Sequence, residues 1–371
     1  MICRNCGHDE FTLFCDLGSQ PLANSFLTRD QVKHEPETFY PLRPKTCTEC
    51  GLVQLPEQPQ VVFDQSYPYR SGQSVEWEQH LVDLVTDLGI SVSDSVIEVG
   101  GNDGLLGELL PSDTTYWNID PAGDDIRLPL TSDLAAALGE GIADWVIALN
   151  VLAHVHDLDD FLEGCYRLLK PGGKLVIEVP NAFNLVHGNL FDTIYHEHLS
   201  YFESLVLYNA LEWRGFHVSV GKGITTHGGS VRAVATPGVP RDLSMLSPLP
   251  PYRQRPPAMR HRLMADLRAF DGPIVGWGAP AKAAVLMNYC HITTELVQFV
   301  VDSTPEKQGK FIPGVHVPIY PESHLLEFRP KGILILAWNY EREIREKIKA
   351  LPYEVEVLSL SDYRGTVAPG A

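Results

Sequence analysis

Residues 95 to 110 read SVIEVGGNDGLLGELL, an apolar run that meets a cluster of glycines and then leucines at helical spacing. Val96, Ile97 and Val99 suit a strand buried on both faces. Gly100, Gly101 and Gly104 allow positive φ and let a ligand approach the backbone closely. Leu105, Leu106, Leu109 and Leu110 predict the helix that follows. The loop departs from a dinucleotide G-x-G-x-x-G by lacking the third glycine at the helix start, and it carries Glu98 on the strand and Asn102-Asp103 in the turn. S-adenosylmethionine (SAM) fits such a loop better than NAD. A second acid, Asp120, ends the next apolar segment, Tyr116 to Ile119, where strand two of an α/β unit presents a carboxylate to ribose hydroxyls.

Outward from this loop, short apolar strands alternate with helices from Ser95 to Pro180, the pattern of a doubly wound parallel sheet. Asp144 to Asn150 is a buried strand, and Asn150 at its end is counted with the loop as a cofactor contact. A helix follows, ended by Lys170-Pro171-Gly172-Gly173, and then the strand Lys174 to Val179. Ser74 is placed to cap a helix from Val75 to Leu88, and Tyr67 and Tyr69 precede it as candidate site phenols.

The chain has 371 residues, enough for two or three domains each with its own core. Its net charge of −18 argues against a sequence-independent grip on nucleic acid or on an anionic membrane. No apolar run reaches the roughly 18 residues of a bilayer span, and the N-terminus lacks a basic and then apolar signal, so a cytoplasmic protein is expected. There, the seven cysteines are read first as metal ligands rather than disulfides. Cys3 and Cys6 form one C-x-x-C and Cys47 and Cys50 another, each followed by glycine. Four thiolates with no open position predict a structural zinc site, with Cys15 a buried bystander.

Asn189 to Glu203 concentrates Tyr195, His196, Glu197, His198 and Tyr201 within seven positions. Two imidazoles, a carboxylate and phenols offer a general base, a group to orient it and donors for an oxyanion. A metal held by the H-E-H run is the competing reading. Thr225 to Ala235 reads as a glycine turn before a strand, with His227, Ser230 and Arg232 available to a ligand. A proline-rich join from Pro237 to Pro257 precedes a helix at Ala258 to Phe270. A second α/β unit follows, in which the turn Gly276 to Pro280 leads into a helix carrying Lys282 in its first turn, a place suited to an anion. The segments Phe299 to Gly314 and Gly332 to Asn339 complete a smaller Rossmann-like sheet.

The motifs CRNCG, LGSQPLANSFL, CTECGLVQL, EVGGNDG, YHEHLSYF, HGGSVR, GWGAPAK and VDSTPEKQGKFIPG, in this order, resemble the deoxysugar C-methyltransferase family, which includes enzymes acting on carbon 3 of TDP-3-amino-4-ketohexoses. The resemblance spans nearly the whole chain. It implies a zinc-binding module (1–62), a class I SAM methyltransferase core (63–236) and a Rossmann-like C-terminal domain that binds substrate (237–371). It further implies a small-molecule substrate, a nucleotide-linked 4-ketosugar of antibiotic biosynthesis; a monomer is expected. Glu98, Gly100, Asn102, Asp103 and Asp120 would surround SAM. His198 would be the base, with Tyr195, Glu197 and a tyrosine of the Tyr67 to Tyr69 segment around the sugar. From the residues themselves, His196, His227, Ser230, Arg232 and Lys282 are expected among the substrate contacts. Two alternatives stand beside this reading: methylation of a non-sugar carbon acid, and a SAM-binding scaffold without transfer.

Overall fold

A computed structural model describes residues 1–56, 61, 63, 72, 74–239, 249, 252 and 255–364. The N-terminal module contributes β1 (Phe11–Leu13), β2 (Ser19–Gln20), helix α1 (Arg29–His34), β3 (Tyr40–Pro41), β4 (Lys45–Cys47) and β5 (Val53–Gln54). Gly7 and Gly51, after the two C-x-x-C pairs, have φ of 76° and 74°, which lets each knuckle turn back on itself.

Helix α2 (Val75–Leu88) begins where expected, with Ser74 Oγ accepting the Trp77 N–H at 3.2 Å. It lays Trp77, Leu81 and Leu84 against the core sheet. That sheet is built from β6 (Ser95–Val99), β7 (Thr115–Ile119), β8 (Ala143–Leu149) and β9 (Leu169–Pro180), with α3 (Leu105–Leu109), α4 (Ser132–Leu138) and α5 (Leu158–Leu168) between them. Then come α6 (Ala182–His187), β10 (Ser200–Tyr201), α7 (Ser204–Trp213), β11 (Phe216–Ile224) and β12 (Ser230–Pro237). The strand order is β11-β12-β9-β8-β6-β7, parallel from β7 to β9 and antiparallel beyond. Lys170 to Gly173 does not separate helix from strand as expected. The helix stops at Leu168, and these residues form an irregularity within β9, where the pairing jumps from Ala143↔Leu169 to Trp145↔Lys174.

The third unit contains α8 (Arg255–Ala269), which begins before the expected Ala258, then β13 (Ile274–Trp277), α9 (Ala281–Cys290), β14 (Val300–Val301), β15 (Ile319–Tyr320), α10 (His324–Phe328), β16 (Gly332–Ile335), α11 (Glu341–Lys349) and β17 (Glu356–Ser359). Its sheet is wholly parallel in the order β15-β14-β13-β16-β17. Trp277 belongs to the strand rather than to the turn, and β15 and β17, the two edge strands, were not expected; β17 is mostly exposed or half-buried and lacks the apolar run of a central strand.

The three sequence units interlock. β10 leaves the core and joins the zinc-module sheet as its fourth strand, in the order β1-β4-β5-β10. One apolar cluster contains Phe14, Leu42 and Val53 of the first module, Phe191 and Ile194 of the core and Leu286 and Ile312 of the third unit. Burial of this kind is worth about 25 cal/mol per Å², so separating the units would be costly.

Candidate functional site

The Sγ atoms of Cys3, Cys6, Cys47 and Cys50 all lie within 4.8 Å of one another. Facing pairs are 3.5 Å (Cys3 to Cys50) and 3.6 Å (Cys6 to Cys47) apart. Zn–S bonds of about 2.3 Å in a tetrahedron require thiolates about this close, and all four positions are filled by sulfur, so the donor set fits a structural zinc. Gln54 Nε2 donates to Cys3 Sγ at 3.1 Å, the kind of outer hydrogen bond that orients a metal ligand. Cys15 is buried in the apolar cluster, apart from these four.

The glycine loop is shaped by its own acids. Gly100 has φ 71°, and a Cβ there would run into Val151. Asp120 accepts the Asn102 N–H at 2.8 Å with one carboxylate oxygen and the Ala122 N–H at 2.6 Å with the other. Asn118 Oδ1 accepts the Gly101 N–H at 3.1 Å. Glu98 is buried, takes the Tyr116 hydroxyl hydrogen bond, and is pushed up to about 7 by desolvation. Asp103 accepts the Gly72 N–H at 2.8 Å. Asn150, at φ 59°, has a buried Oδ1 without a partner among the described residues. Beside the loop lies a hollow of about 310 Å³ lined in part by Asp103, Gly104, Tyr116, Asn118 and Asp125. An acidic, glycine-cradled edge with an orphaned carbonyl acceptor fits SAM, which offers ribose hydroxyls, an exocyclic amine and a cationic sulfonium.

The second cluster follows from the segment after β8. His154, three residues beyond Val151, the residue packed on Gly100, places its Nδ1 2.7 Å from the Glu197 carbonyl, so Nδ1 carries the proton. Burial holds its pKa below the ordinary histidine value. Its ring meets that of His198 edge-on with centroids 4.8 Å apart. His198 Nδ1 likewise donates to the Thr193 carbonyl at 3.1 Å, which leaves Nε2 to accept from the Tyr195 hydroxyl at 2.6 Å. Glu197 is held on one oxygen by Asn24 Nδ2 at 3.1 Å. Its other oxygen is buried without a partner among the described residues, and burial raises its pKa. Pro180, Asn181, Leu190, Thr193, His198 and Gly229 line one small cavity.

The other expected contacts are distributed differently. His196 is 1% exposed and turns to the first module, with Tyr40 edge-on to its ring at 5.9 Å, so it does not share the His198 pocket. Arg232 is buried on Glu178, which also takes His80 Nε2 at 2.8 Å; this ion cluster lies under α2 and not at the cavity. Its strand register explains the difference, since Arg232 shares a face of β12 with Val234, which packs with Trp77 of α2. Ser230 adjoins the cavity residue Gly229, but its Oγ donates to the Thr226 carbonyl at 3.1 Å. His227 lies on the turn Thr226–Gly228. Lys282 donates to Asn339 Oδ1 at 2.9 Å and sits 4.5 Å from the Trp338 ring centroid. Tyr67 and Tyr69 lie outside the described residues.

Sequence reasoning passed over His154, Asn24 and Asp192. His154 had a signal, because it follows a strand at the carboxyl edge of a parallel sheet, where such sheets bind ligands. Asn24 and Asp192 had none; their partners are Glu197, 173 residues away, and Trp338 and Arg364 of the third unit.

Known proteins are similar to this chain in sequence. Family models describe residues 3–62 as a zinc-binding domain, 72–219 as a methyltransferase domain and 241–354 as a C-methyltransferase C-terminal domain. The C-methyltransferase NovU of Streptomyces niveus is 31% identical across 94% of this chain and 92% of its own length. A mitochondrial ubiquinone biosynthesis O-methyltransferase of Rattus norvegicus is 31% identical over 24% of this chain and 32% of its own. Among solved structures, a SAM-dependent methyltransferase from Aquifex aeolicus aligns with 47% of this chain and 98% of its own at 14% identity and a TM-score of 0.38. A Burkholderia thailandensis 1,6-didemethyltoxoflavin N1-methyltransferase with S-adenosylhomocysteine aligns with 53% of this chain and 99% of its own at 16% identity and a TM-score of 0.37.

Proposed function

The chain belongs to the C-methyltransferase family that joins a zinc-binding module, a SAM-dependent methyltransferase core and a dedicated C-terminal domain, and from that premise we propose that it methylates carbon beside the ketone of a nucleotide-linked 4-ketodeoxysugar. SAM, when bound, supplies an electrophilic methyl group on a cationic sulfur. Everything else asked of the protein is proton management. A proton on carbon next to a ketone is weakly acidic, so a close base must remove it while a donor stabilises the enolate oxygen.

The observation that carries this reading is the linked set Tyr195, His198 and His154 on the edge that also bears the SAM loop. Both imidazoles are oriented with Nδ1 protonated, so both present a basic Nε2. His198 accepts the proton, directly or through the Tyr195 hydroxyl already hydrogen-bonded to it, and Tyr195 then remains as a donor. Burial keeps His154 neutral near pH 7 and thus available as a second base or as the donor's relay. Glu197, with its pKa raised by burial, is a hydrogen-bond donor to an oxyanion when protonated.

The test is two-part. Purified protein with SAM and a panel of TDP-4-ketosugars should add the mass of one methyl to at least one of them. Without SAM it should wash deuterium into the carbon beside the ketone of that same sugar. Exchange and methylation both absent across the panel would remove the ketosugar reading and leave a different carbon acid.

A further inference from the structure

Trp338 follows β16 and Lys282 lies in the first turn of α9 after β13. These two strands are adjacent in the third sheet, at the point where its order reverses from β13 toward β14 on one side and β16 on the other. Ligands of open α/β sheets bind in the crevice at that point. Two cations lie at this point. The Lys282 Nζ is 4.5 Å and the Arg364 guanidinium 4.0 Å from the Trp338 ring centroid. One carboxylate answers them: Asp192 accepts Trp338 Nε1 at 2.7 Å on one oxygen and Arg364 Nη2 at 2.6 Å on the other.

The account of charges and donors does not close. The Arg364 side chain is 5% exposed and Asp192 fully buried. Nε and Nη1 of Arg364 are buried with no partner among the described residues. Glu341, the other acid near Arg364, is bound to Arg345 at 2.7 Å. Two cations therefore share one carboxylate, and the three N–H groups on Nε and Nη1 of Arg364 have no partner among the described residues, a costly state for buried charge unless an anion completes it.

We infer that Lys282 and Arg364, braced on Trp338 at the switch point of the third sheet, form the binding site for the diphosphate of the substrate. The inference rests on the ketosugar reading above and extends it. Position supports it too. Asp192 is followed by Thr193, whose carbonyl takes His198 Nδ1, and Gly228 packs so closely on Trp338 that a Cβ would clash, while Gly229 lines the His198 cavity. The cations are thus joined to the His198 cavity through adjacent residues of two segments. A planar fork and a point charge are suited to two neighbouring phosphoryl groups.

Calorimetric titration of the full chain with thymidine 5′-diphosphate and with inorganic diphosphate tests the site without any methyl transfer. Wild type should bind both. Lys282→Gln and Arg364→Gln should each lose about 10- to 100-fold in affinity for them, as expected for a charge-assisted contact, and keep SAM affinity. Lys282→Gln leaves the Asp192 ion pair intact, so it remains informative if Arg364→Gln misfolds. Wild type binding neither ligand, or Lys282→Gln binding both as tightly as wild type, overturns the site. The two readings separate cleanly. Diphosphate bound in a Lys282-dependent way by a protein that methylates no ketosugar leaves the site standing and the reaction wrong; methylation with unchanged KM in Lys282→Gln does the reverse.

Discussion

The core and the third unit hold their glycine loops by the same device and place opposite charge around them. In the core, Asp120 clamps the Asn102 and Ala122 N–H groups. In the third unit, Asp302 at the end of β14 accepts the Ala279 N–H at 2.6 Å and the Thr304 N–H at 2.8 Å. In both, a strand-end carboxylate fixes the turn after the first strand. Around the first clamp lie Glu98, Asp103 and Asp125. Around the second crevice lie Lys282 and Arg364, and Lys307 stands 3.9 Å from Asp302 itself. On the reading proposed above, one scaffold serves a cationic cofactor and an anionic substrate group. The scaffold supplies the turn; the side chains beyond it choose the ligand.

The segment proposed as catalytic is tied to the third unit through Asp192 and to the zinc module through β10, and the second tie gives the largest expected effect. Tyr201 and Ser200 form the edge of the zinc-module sheet, Leu55 N donates to the Leu199 carbonyl at 2.9 Å and Arg4 binds the Leu55 carbonyl at 2.7 Å. Removing zinc takes away folding free energy of roughly 10 kcal/mol or more for such a site. Chelation should therefore abolish turnover and deuterium exchange while SAM still binds by calorimetry. Full turnover in metal-free protein would show that the segment stands without its module.

Next in size is the base. His198→Asn should lower turnover by about 10²- to 10⁴-fold, with SAM and thymidine diphosphate binding both unchanged, because it touches neither crevice. His196→Asn, on the other face, should lose far less. Wild-type deuterium exchange in the His198 variant would move the base to His154.

The two clamps can then be exchanged against each other. Asp120→Ala should weaken SAM by about 1.5 to 3 kcal/mol, the range for a hydrogen bond to a charged group, without affecting diphosphate. Asp302→Ala should do the opposite and by less, since it reaches the phosphates only by placing the turn before Lys282. Calorimetry of both ligands on both variants decides it, and a shared loss would mean that the crevices are coupled.

The smallest effect is of pH. Desolvation, opposed by Asp192 and reinforced by Arg364, lowers the Lys282 pKa to about 8. The charged form is the one that binds an anion, so diphosphate affinity should be full below that value and fall a few-fold as pH rises through it, while SAM affinity stays level. A flat profile between pH 7 and 9 would take Lys282 out of the contact.

Much of this was legible in the residues themselves. The paired C-x-x-C knuckles, the cap at Ser74, the loop from Gly100 to Gly104 and the acid at Asp120 are local devices, in which spacing alone decides what the backbone can do. The concentration of Tyr195, Glu197 and His198 was visible for the same reason. What sequence could not decide was direction. His196 and His198 are two positions apart, yet one faces the first module and the other His154, because the chain turns between them, with the His198 N–H bonded to the Tyr195 carbonyl at 2.9 Å. Arg232 looked free for a ligand until β12 was paired with β9 and set it on Glu178. His154, Asn24, Asp192 and Arg364 gain their meaning from partners 43 to 173 residues away. Local pattern fixes where a chain turns and what it carries; only packing, which buries one face and leaves a donor or a charge unanswered on it, fixes which of those groups meet.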